Sequence, residues 1–379
     1  DEPDKTSGLL GSVTAPVQPT NYEYNTLGKM VHVQQDVQHR WFMYDSLGRL
    51  LRVKQPEQDV NGGLNTTGNP GNDSWTAGFA YDNNGNVLQA TDAKGTTITN
   101  TYDALNRPLT RTYSNEPQGV STPTVTNSYD GIGISPAPGF AKGKLTKVTS
   151  SVSESRYTDF DAAGRLKQFQ QITDGQTYTS SYEYNLSGAL IKETYPSGRV
   201  VKNEFDASGD LAKIFGKATP GTIERTYANN FTYSPDGKIE RLRLGSGVWE
   251  SAKFNSRLQV TELSVGWGPS SGSVWKMTTE YGEWNGTTVD AVKNSGNIGK
   301  QTVGFSGLAN PFVQTFAYDS LQRLTEAKET VNGTQTWKEV FDYDRYGNRT
   351  THQKYAGGST EIPQTDETRP EIDNTKNRF

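Results

Sequence analysis

Aromatic residues in this chain recur two apart, as in Tyr22/Tyr24, Phe79/Tyr81, Tyr182/Tyr184, Phe231/Tyr233, Phe316/Tyr318 and Phe341/Tyr343. A period of two places both rings of a pair on one face of a β-strand. Directly after the second ring comes Asp-x-x-Gly: Asp45 with Gly48, Asp82 with Gly85, Asp161 with Gly164, Asp206 with Gly209, Asp344 with Gly347. An Asp opening a type I turn accepts hydrogen bonds from the amides ahead of it. The Gly supplies the positive φ that lets the chain rejoin a second strand through a bulge. An alternating stretch then returns, such as Leu166-Lys167-Gln168-Phe169 or Leu324-Thr325-Glu326-Ala327. One unit therefore reads as a β-hairpin, and those ten residues are its structural turn.

The unit repeats. Further copies begin at Tyr24-Asn25, Tyr102-Asp103 (with Asn106 in place of Gly), Tyr184-Asn185, Tyr233-Ser234 and Tyr318-Asp319 (with Gln322 in place of Gly). Degenerate copies stand at Tyr129-Asp130, Tyr195-Pro196 and Phe254-Asn255. Starts fall roughly 20 to 28 residues apart, a spacing that marks a repeat architecture. Hairpins are marginal alone, so the units must pair edge to edge. About 13 such units at the usual strand spacing make a ribbon on the order of 125 Å along its pairing direction. No long window holds a 3.6-residue period free of Gly, Pro or Asn. The expected fold is all-β: an array of hairpins forming a long coiled antiparallel β-sheet.

Composition narrows what such a sheet does. The chain has 379 residues, a net charge of −4, 32% hydrophobic residues, no Cys and three His. No apolar run spans a bilayer, so membrane insertion is not expected. The near-neutral balance leaves no electrostatic footprint for nucleic acid. Without Cys there is no thiol nucleophile, disulfide or Cys-based zinc site. The 19 Tyr, 14 Phe and 7 Trp are far too many for a disordered chain.

The units Tyr44-Asp45-Ser46-Leu47-Gly48-Arg49-Leu50, Phe160-Asp161-Ala162-Ala163-Gly164-Arg165-Leu166, Tyr318-Asp319-Ser320-Leu321-Gln322-Arg323-Leu324 and Tyr343-Asp344-Arg345-Tyr346-Gly347-Asn348-Arg349 resemble those of the YD-repeat, or Rhs-repeat, proteins. In that family the repeats wind into a spiralling sheet that makes a large hollow shell. Members include encapsulating components of bacterial toxin complexes, polymorphic toxins and the extracellular part of teneurins. The resemblance implies a non-catalytic scaffold, a shell fragment of a bacterial secreted or surface protein that encapsulates or displays a toxin or other segment. Implied partners are the remaining repeats, a plug domain or the toxin cargo of a parent protein; open sheet edges add self-association. The Asp-Pro-x-Gly-Leu-like motif at which family shells cleave themselves has no match here, and the last residues resemble a further repeat cut short. The chain thus reads as an internal fragment of a longer array.

Three segments follow: a lead-in over residues 1–20, the repeat array over 21–355, and a tail over 356–379 that reads as the start of a truncated further repeat. Within the array, residues 59–73 read as a long exposed loop rich in Asn and Gly, and residues 131–139 as a second loop. The pattern is weakest from Trp249 to Gly299, where Tyr281 and residues 294–298 frame one enlarged hairpin.

Candidate chemistry is sparse. Calcium-binding repeats need several carboxylates per loop, and these turns offer one each. His32 and His39, seven residues apart and without a third ligand, read as packing or surface residues. No Gly-x-Ser-x-Gly elbow occurs, so no catalytic, cofactor-binding or metal residue is assigned and no cofactor is expected. Trp249, Trp267, Trp275 and Trp284 are the candidate partner or glycan surface, although large rings in β-proteins more often pack. The alternative function is therefore an extracellular glycan- or protein-binding adhesion module. A β-propeller fits less well, since its blades need about twice the observed period.

Overall fold

A computed structural model describes Gly11 and residues 18–67, 71–357 and 360–361. Among them are 29 β-strands and two short 3-10 turns, with no α-helix. Twenty-seven strands lie in antiparallel sheet, and two form a separate ribbon. The fold is all-β, as the aromatic pairs and turns predict. By internal contacts the chain divides into a first unit, Pro19–Val200, and a second beginning at Val201.

The first unit is a run of neighbouring strands joined by turns: β1 (Thr20–Tyr24), β2 (Met30–Gln35), β3 (Gln38–Tyr44), β4 (Leu50–Lys54), β5 (Ala77–Tyr81), β6 (Val87–Thr91), β7 (Thr97–Tyr102), β8 (Pro108–Ser114), β9 (Val125–Tyr129), β10 (Leu145–Thr149), β11 (Ser153–Phe160), β12 (Leu166–Thr173), β13 (Gln176–Tyr184) and β14 (Leu190–Thr194). Each pairs with the next in sequence, as in Phe42↔Val53 across β3 and β4 and Tyr157↔Phe169 across β11 and β12. The register slips just before the YD turns, between Met43 and Tyr44, Ala80 and Tyr81, Thr101 and Tyr102, and Glu183 and Tyr184. That slip is the bulge demanded by a type I turn closed through a left-handed residue.

The second unit repeats the plan through β15 (Val200–Phe205), β16 (Leu211–Lys217), β17 (Arg225–Tyr233), β18 (Ile239–Leu244), β19 (Trp249–Phe254), β20 (Val260–Gly266), β21 (Trp275–Tyr281), β22 (Glu283–Trp284), β23 (Val289–Asp290), β24 (Ile298–Phe305), β25 (Phe312–Tyr318), β26 (Leu324–Val331), β27 (Thr334–Tyr343), β28 (Arg349–Ala356) and β29 (Thr360–Glu361). β21 pairs with β24, bringing Tyr281 opposite Ile298, and the β22–β23 ribbon is inserted between them. This is the enlarged hairpin framed by the weak part of the sequence pattern. β29 pairs with β28, placing a short strand inside the segment expected to be a tail.

Few side chains are fully buried. Val53, Leu64, Trp75, Ala141, Phe160, Ala228 and Ala327 are the buried apolar residues among those described. Most strand positions are half-buried, as expected where a residue's neighbours stand beside it in the sheet. Such an array draws its stability from nearest-neighbour strand pairing and cross-strand side chains.

The insertion at residues 59–73 is an exposed loop over most of the residues described, as expected, but two of its residues, Leu64 and Asn72, are buried. Asn61 caps a 3-10 turn over Gly62–Leu64, and Leu64 is buried. Trp75 and Thr76, which follow, have no exposed surface. The Trp75 Nε1–H donates to Thr66 Oγ1 at 2.8 Å, and Lys54 Nζ donates to Asn72 Oδ1 at 2.8 Å. Gly71, with φ +82°, lies against Trp41, and a Cβ there would come within 2.3 Å of the indole Cη2. The physical reason is apolar: Leu64 and Trp75 leave water, and Gly71 seats against the Trp41 ring. Residues 68–70 of this loop, and 1–10, 12–17, 358–359 and 362–379 of the end segments, lie outside the described residues.

Candidate functional site

The sequence's most repeated feature is also the most repeated piece of geometry. At Tyr44-Asp45-Ser46-Leu47-Gly48-Arg49, Asp45 Oδ1 accepts from the Leu47 and Arg49 amides at 2.9 and 2.8 Å. The Gly48 amide donates to the Asp45 carbonyl at 3.0 Å, and Gly48 has φ +75°. Asp82, Asp161 and Asp344 each accept the amide four residues on, at 2.8 to 2.9 Å. Asp206 does so at 3.0 Å. Gly85, Gly164, Gly209 and Gly347 all have φ between +79° and +90°. Asn106 and Gln322 take the same left-handed conformation, at φ +61° and +64°.

These hydrogen bonds set the electrostatics of the turns. Amide donation and the guanidinium of Arg49 hold the Asp45 carboxyl below its ordinary pKa, as Arg107 does for Asp103 and Arg165 for Asp161. For Asp82 the leading cause is the Asn86 side-chain amide. Each turn carboxylate is thus committed to its own loop.

A second set of bonds ties each turn to the next. The Arg49 Nε–H donates to Asp45 Oδ2 at 2.7 Å, while its Nη1 donates to the carbonyl of Asp82, in the following turn, at 2.8 Å. The guanidinium carbon lies 5.0 Å from the centre of the Tyr81 ring. The Tyr81 hydroxyl reaches back to the Leu50 carbonyl at 2.8 Å. The clamp recurs at Arg107 with Tyr129, Arg165 with Tyr184 and Arg323 with Tyr343, at 4.3, 5.0 and 4.9 Å. Tyr102, Tyr129, Tyr233, Tyr281, Tyr318 and Tyr343 each donate to the carbonyl of the residue that begins the preceding return strand, at 2.7 to 3.1 Å. Where Phe160 and Phe254 replace Tyr, the hydroxyl bond is lost but a lysine, Lys144 or Lys238, still stands over the ring.

Sequence reasoning assigned the Asp and Gly of each unit to the turn and missed the two residues that couple turns. Both left a visible signal. Arg follows the left-handed residue in Gly48-Arg49, Asn106-Arg107, Gly164-Arg165 and Gln322-Arg323, and the ring before Asp is more often Tyr than Phe.

The four candidate tryptophans are distributed over different places. Trp249 pairs with Gly266 and Trp275 pairs with Val265, so adjacent positions of β20 send the two indoles to opposite faces. Trp249 lies under Arg241 and Arg243. Trp267 is 68% exposed in the loop after β20, and Trp284 sits in the β22–β23 ribbon. His32 is buried, stacked on Trp41 at 3.6 Å, with Nε2 2.9 Å from His39 Nδ1 and Nδ1 3.1 Å from Glu23 Oε1. Among the described residues no group of three or more His, Cys, Asp or Glu side chains is arranged to hold a metal ion. No helix among them is long and apolar enough to cross a membrane.

What these units define is a tandem-hairpin protein in which many of the repeats carry a lock for the neighbour. The RHS Repeat family model matches residues 81–119 and 160–200. The fold matches the crystal structure of TcdB2–TccC3, at a TM-score of 0.73 and 16% identity over 93% of this chain and 19% of that one. The same complex without its hypervariable C-terminal region matches at a TM-score of 0.73 and 16% identity, over 97% of this chain and 19% of that one. The Tc holotoxin pore of Photorhabdus luminescens matches at a TM-score of 0.71 and 16% identity, over 90% of this chain and 17% of that one. No curated protein sequence matches the chain. Over those two stretches the chain is similar to RHS Repeat proteins, its fold is that of the toxin-complex shells, and it spans less than a fifth of the length of these toxin-complex chains.

Proposed function

We propose that this chain is a wall segment of a YD-repeat shell, a non-catalytic scaffold that encloses or displays another polypeptide of its parent protein. The observation that carries the reading is the clamp: the repeated Tyr, Asp, Gly and Arg positions are engaged in closing a turn or holding the next one. A unit whose invariant chemistry is spent on its neighbour builds a surface. The match to toxin-complex structures supports the same reading at the level of fold.

In this reading the partners are the parent protein's other repeats, a plug domain and a toxin cargo, in a bacterial protein that is secreted or held at the cell surface. Open sheet edges would suit either further repeats or another copy. Small-angle X-ray scattering on size-fractionated protein tests the reading. A curved sheet-like particle is the expected result. A compact, solid disc of monomer mass overturns it and returns the propeller.

A further inference from the structure

The two faces of strands β18 to β21 differ sharply in chemistry. The face bearing Trp249 also carries Arg241 and Arg243, which lie over that ring, and Glu262, which pairs with Lys253 at 3.0 Å and Lys276 at 2.9 Å. On this face the one carboxylate is held by two lysines, and the two arginines rest on the indole. On the opposite face the register brings Leu242, Glu250, Val265 and Trp275 into one row, and Glu240, Ala252 and Leu263 into the next. These residues line a cavity of about 360 Å³. Glu240 and Glu250 are exposed, Glu250 stands across from Leu242 and Val265, and the one cation that also lines this cleft, Arg241, turns its guanidinium to the opposite face over Trp249. Elsewhere in this unit strand carboxylates find lysines, as Glu280 finds Lys300 and Glu326 finds Lys338.

We propose that this cleft binds an extended polypeptide segment that alternates aliphatic and basic side chains. An aliphatic chain would settle among Leu242, Leu263, Val265 and the Trp275 ring, where apolar area leaves water. A lysine or arginine on either side would then meet Glu240 or Glu250, two carboxylates to which the sheet gives no cation. The aliphatic character of the lining favours a peptide over a saccharide, which needs a flat ring with polar groups around it. The inference rests on the scaffold reading, in that it names the chemistry by which such a wall would hold an unfolded cargo segment.

The test is fluorescence anisotropy with a short labelled peptide of alternating leucine and lysine, titrated with the whole chain. Saturable binding that weakens about fivefold to tenfold in the Glu240→Gln/Glu250→Gln double variant is expected, as is weakening with added salt. Trp275→Ala should weaken it further, and the double variant keeps the test valid if that substitution disturbs the fold. Equal binding of a leucine–glutamate peptide overturns the proposal. So does full displacement by a neutral oligosaccharide, or a self-association that Trp275→Ala abolishes. Scattering that contradicts the shell while the peptide still binds at these carboxylates would remove only the functional reading.

Discussion

Arg49 and Tyr81 belong to successive hairpins, and each secures the other's turn. The Arg49 guanidinium stacks 5.0 Å from the Tyr81 ring centre and donates to the carbonyl of Asp82, while the Tyr81 hydroxyl donates to the Leu50 carbonyl beside Arg49. The pair acts as one element: the ring positions the guanidinium, and the guanidinium fixes the turn that the ring precedes. Tyr81→Phe keeps the ring and loses one hydrogen bond, at a cost of about 1 kcal/mol. Arg49→Lys loses the planar fork at a similar cost. In urea unfolding the double variant should differ from the sum of the single effects by about 0.5–1.5 kcal/mol, the sign of coupling between touching groups. Arg165→Lys combined with Tyr81→Phe, which touch different turns, should simply add.

Asp161 separates the turn from the clamp. Its Oδ1 serves the Arg165 amide at 2.9 Å, and its Oδ2 takes the Arg165 Nε–H at 2.6 Å. Asp161→Asn retains an oxygen for the amide, as Asn185 does with the Ala189 amide at 2.9 Å, and loses only the charged pair. Asp161→Ala loses both. The alanine variant should therefore be less stable than wild type by about 1–2 kcal/mol, with the asparagine variant between them. Equal melting temperatures for the two variants would show that the turn acceptor carries none of the effect.

The hairpins were legible because their signal is local: alternation, a turn acceptor and a left-handed residue all lie within one unit. The links between units were not, because they depend on which turn follows which across a paired strand. Arg49 reaches Asp82 across 33 residues, a separation lengthened by the insertion between β4 and β5. The packed residues in and beside that insertion went unseen for a related reason: its Asn and Gly residues describe a loop correctly, but the burial of Leu64 and Trp75 and the seat of Gly71 on Trp41 depend on strands distant in sequence. The tryptophans show the same limit, since the assignment of Trp249 and Trp275 to opposite faces follows from a register set by β20.

Leu258 occupies the position that Gly fills in most turns, at φ +61° and 48% exposed. A branched aliphatic residue pays for that conformation in Cβ crowding, whereas Gly does not. Leu258→Gly should raise stability by about 1 kcal/mol. Gly209→Ala makes the reverse change at φ +90°, where a Cβ would meet no atom within 4 Å, so backbone strain alone acts. It should lower stability by about 1–2 kcal/mol. Opposite shifts in melting temperature are expected; a fall for Leu258→Gly would mean that the leucine makes a contact worth more than the strain.

The array should lose stability on both sides of neutrality, for separate reasons. Asp45, Asp82, Asp103, Asp130 and Asp161 have pKa values below the ordinary 3.8, because amides, side-chain donors and guanidinium groups favour their charged forms. A lowered folded-state pKa contributes stability that is complete above 3.8 and disappears as pH falls through the folded values. Tyr81, Tyr129, Tyr184, Tyr233, Tyr318 and Tyr343 are raised above 10.0, chiefly because burial disfavours the phenolate. Their contribution is complete below 10.0 and is lost as pH rises through the higher folded values, when the phenols ionise and Tyr81, Tyr129, Tyr233, Tyr318 and Tyr343 lose the hydroxyl that donates to the preceding strand. Urea midpoints should be flat from about pH 5 to 9, fall below pH 4 and fall again above pH 10. Asp161→Asn should soften the acid limb and leave the alkaline limb unchanged, and Tyr343→Phe should do the reverse. A variant that alters both limbs equally would show that the losses come from the sheet as a whole and not from the turn carboxylates and tyrosine hydroxyls.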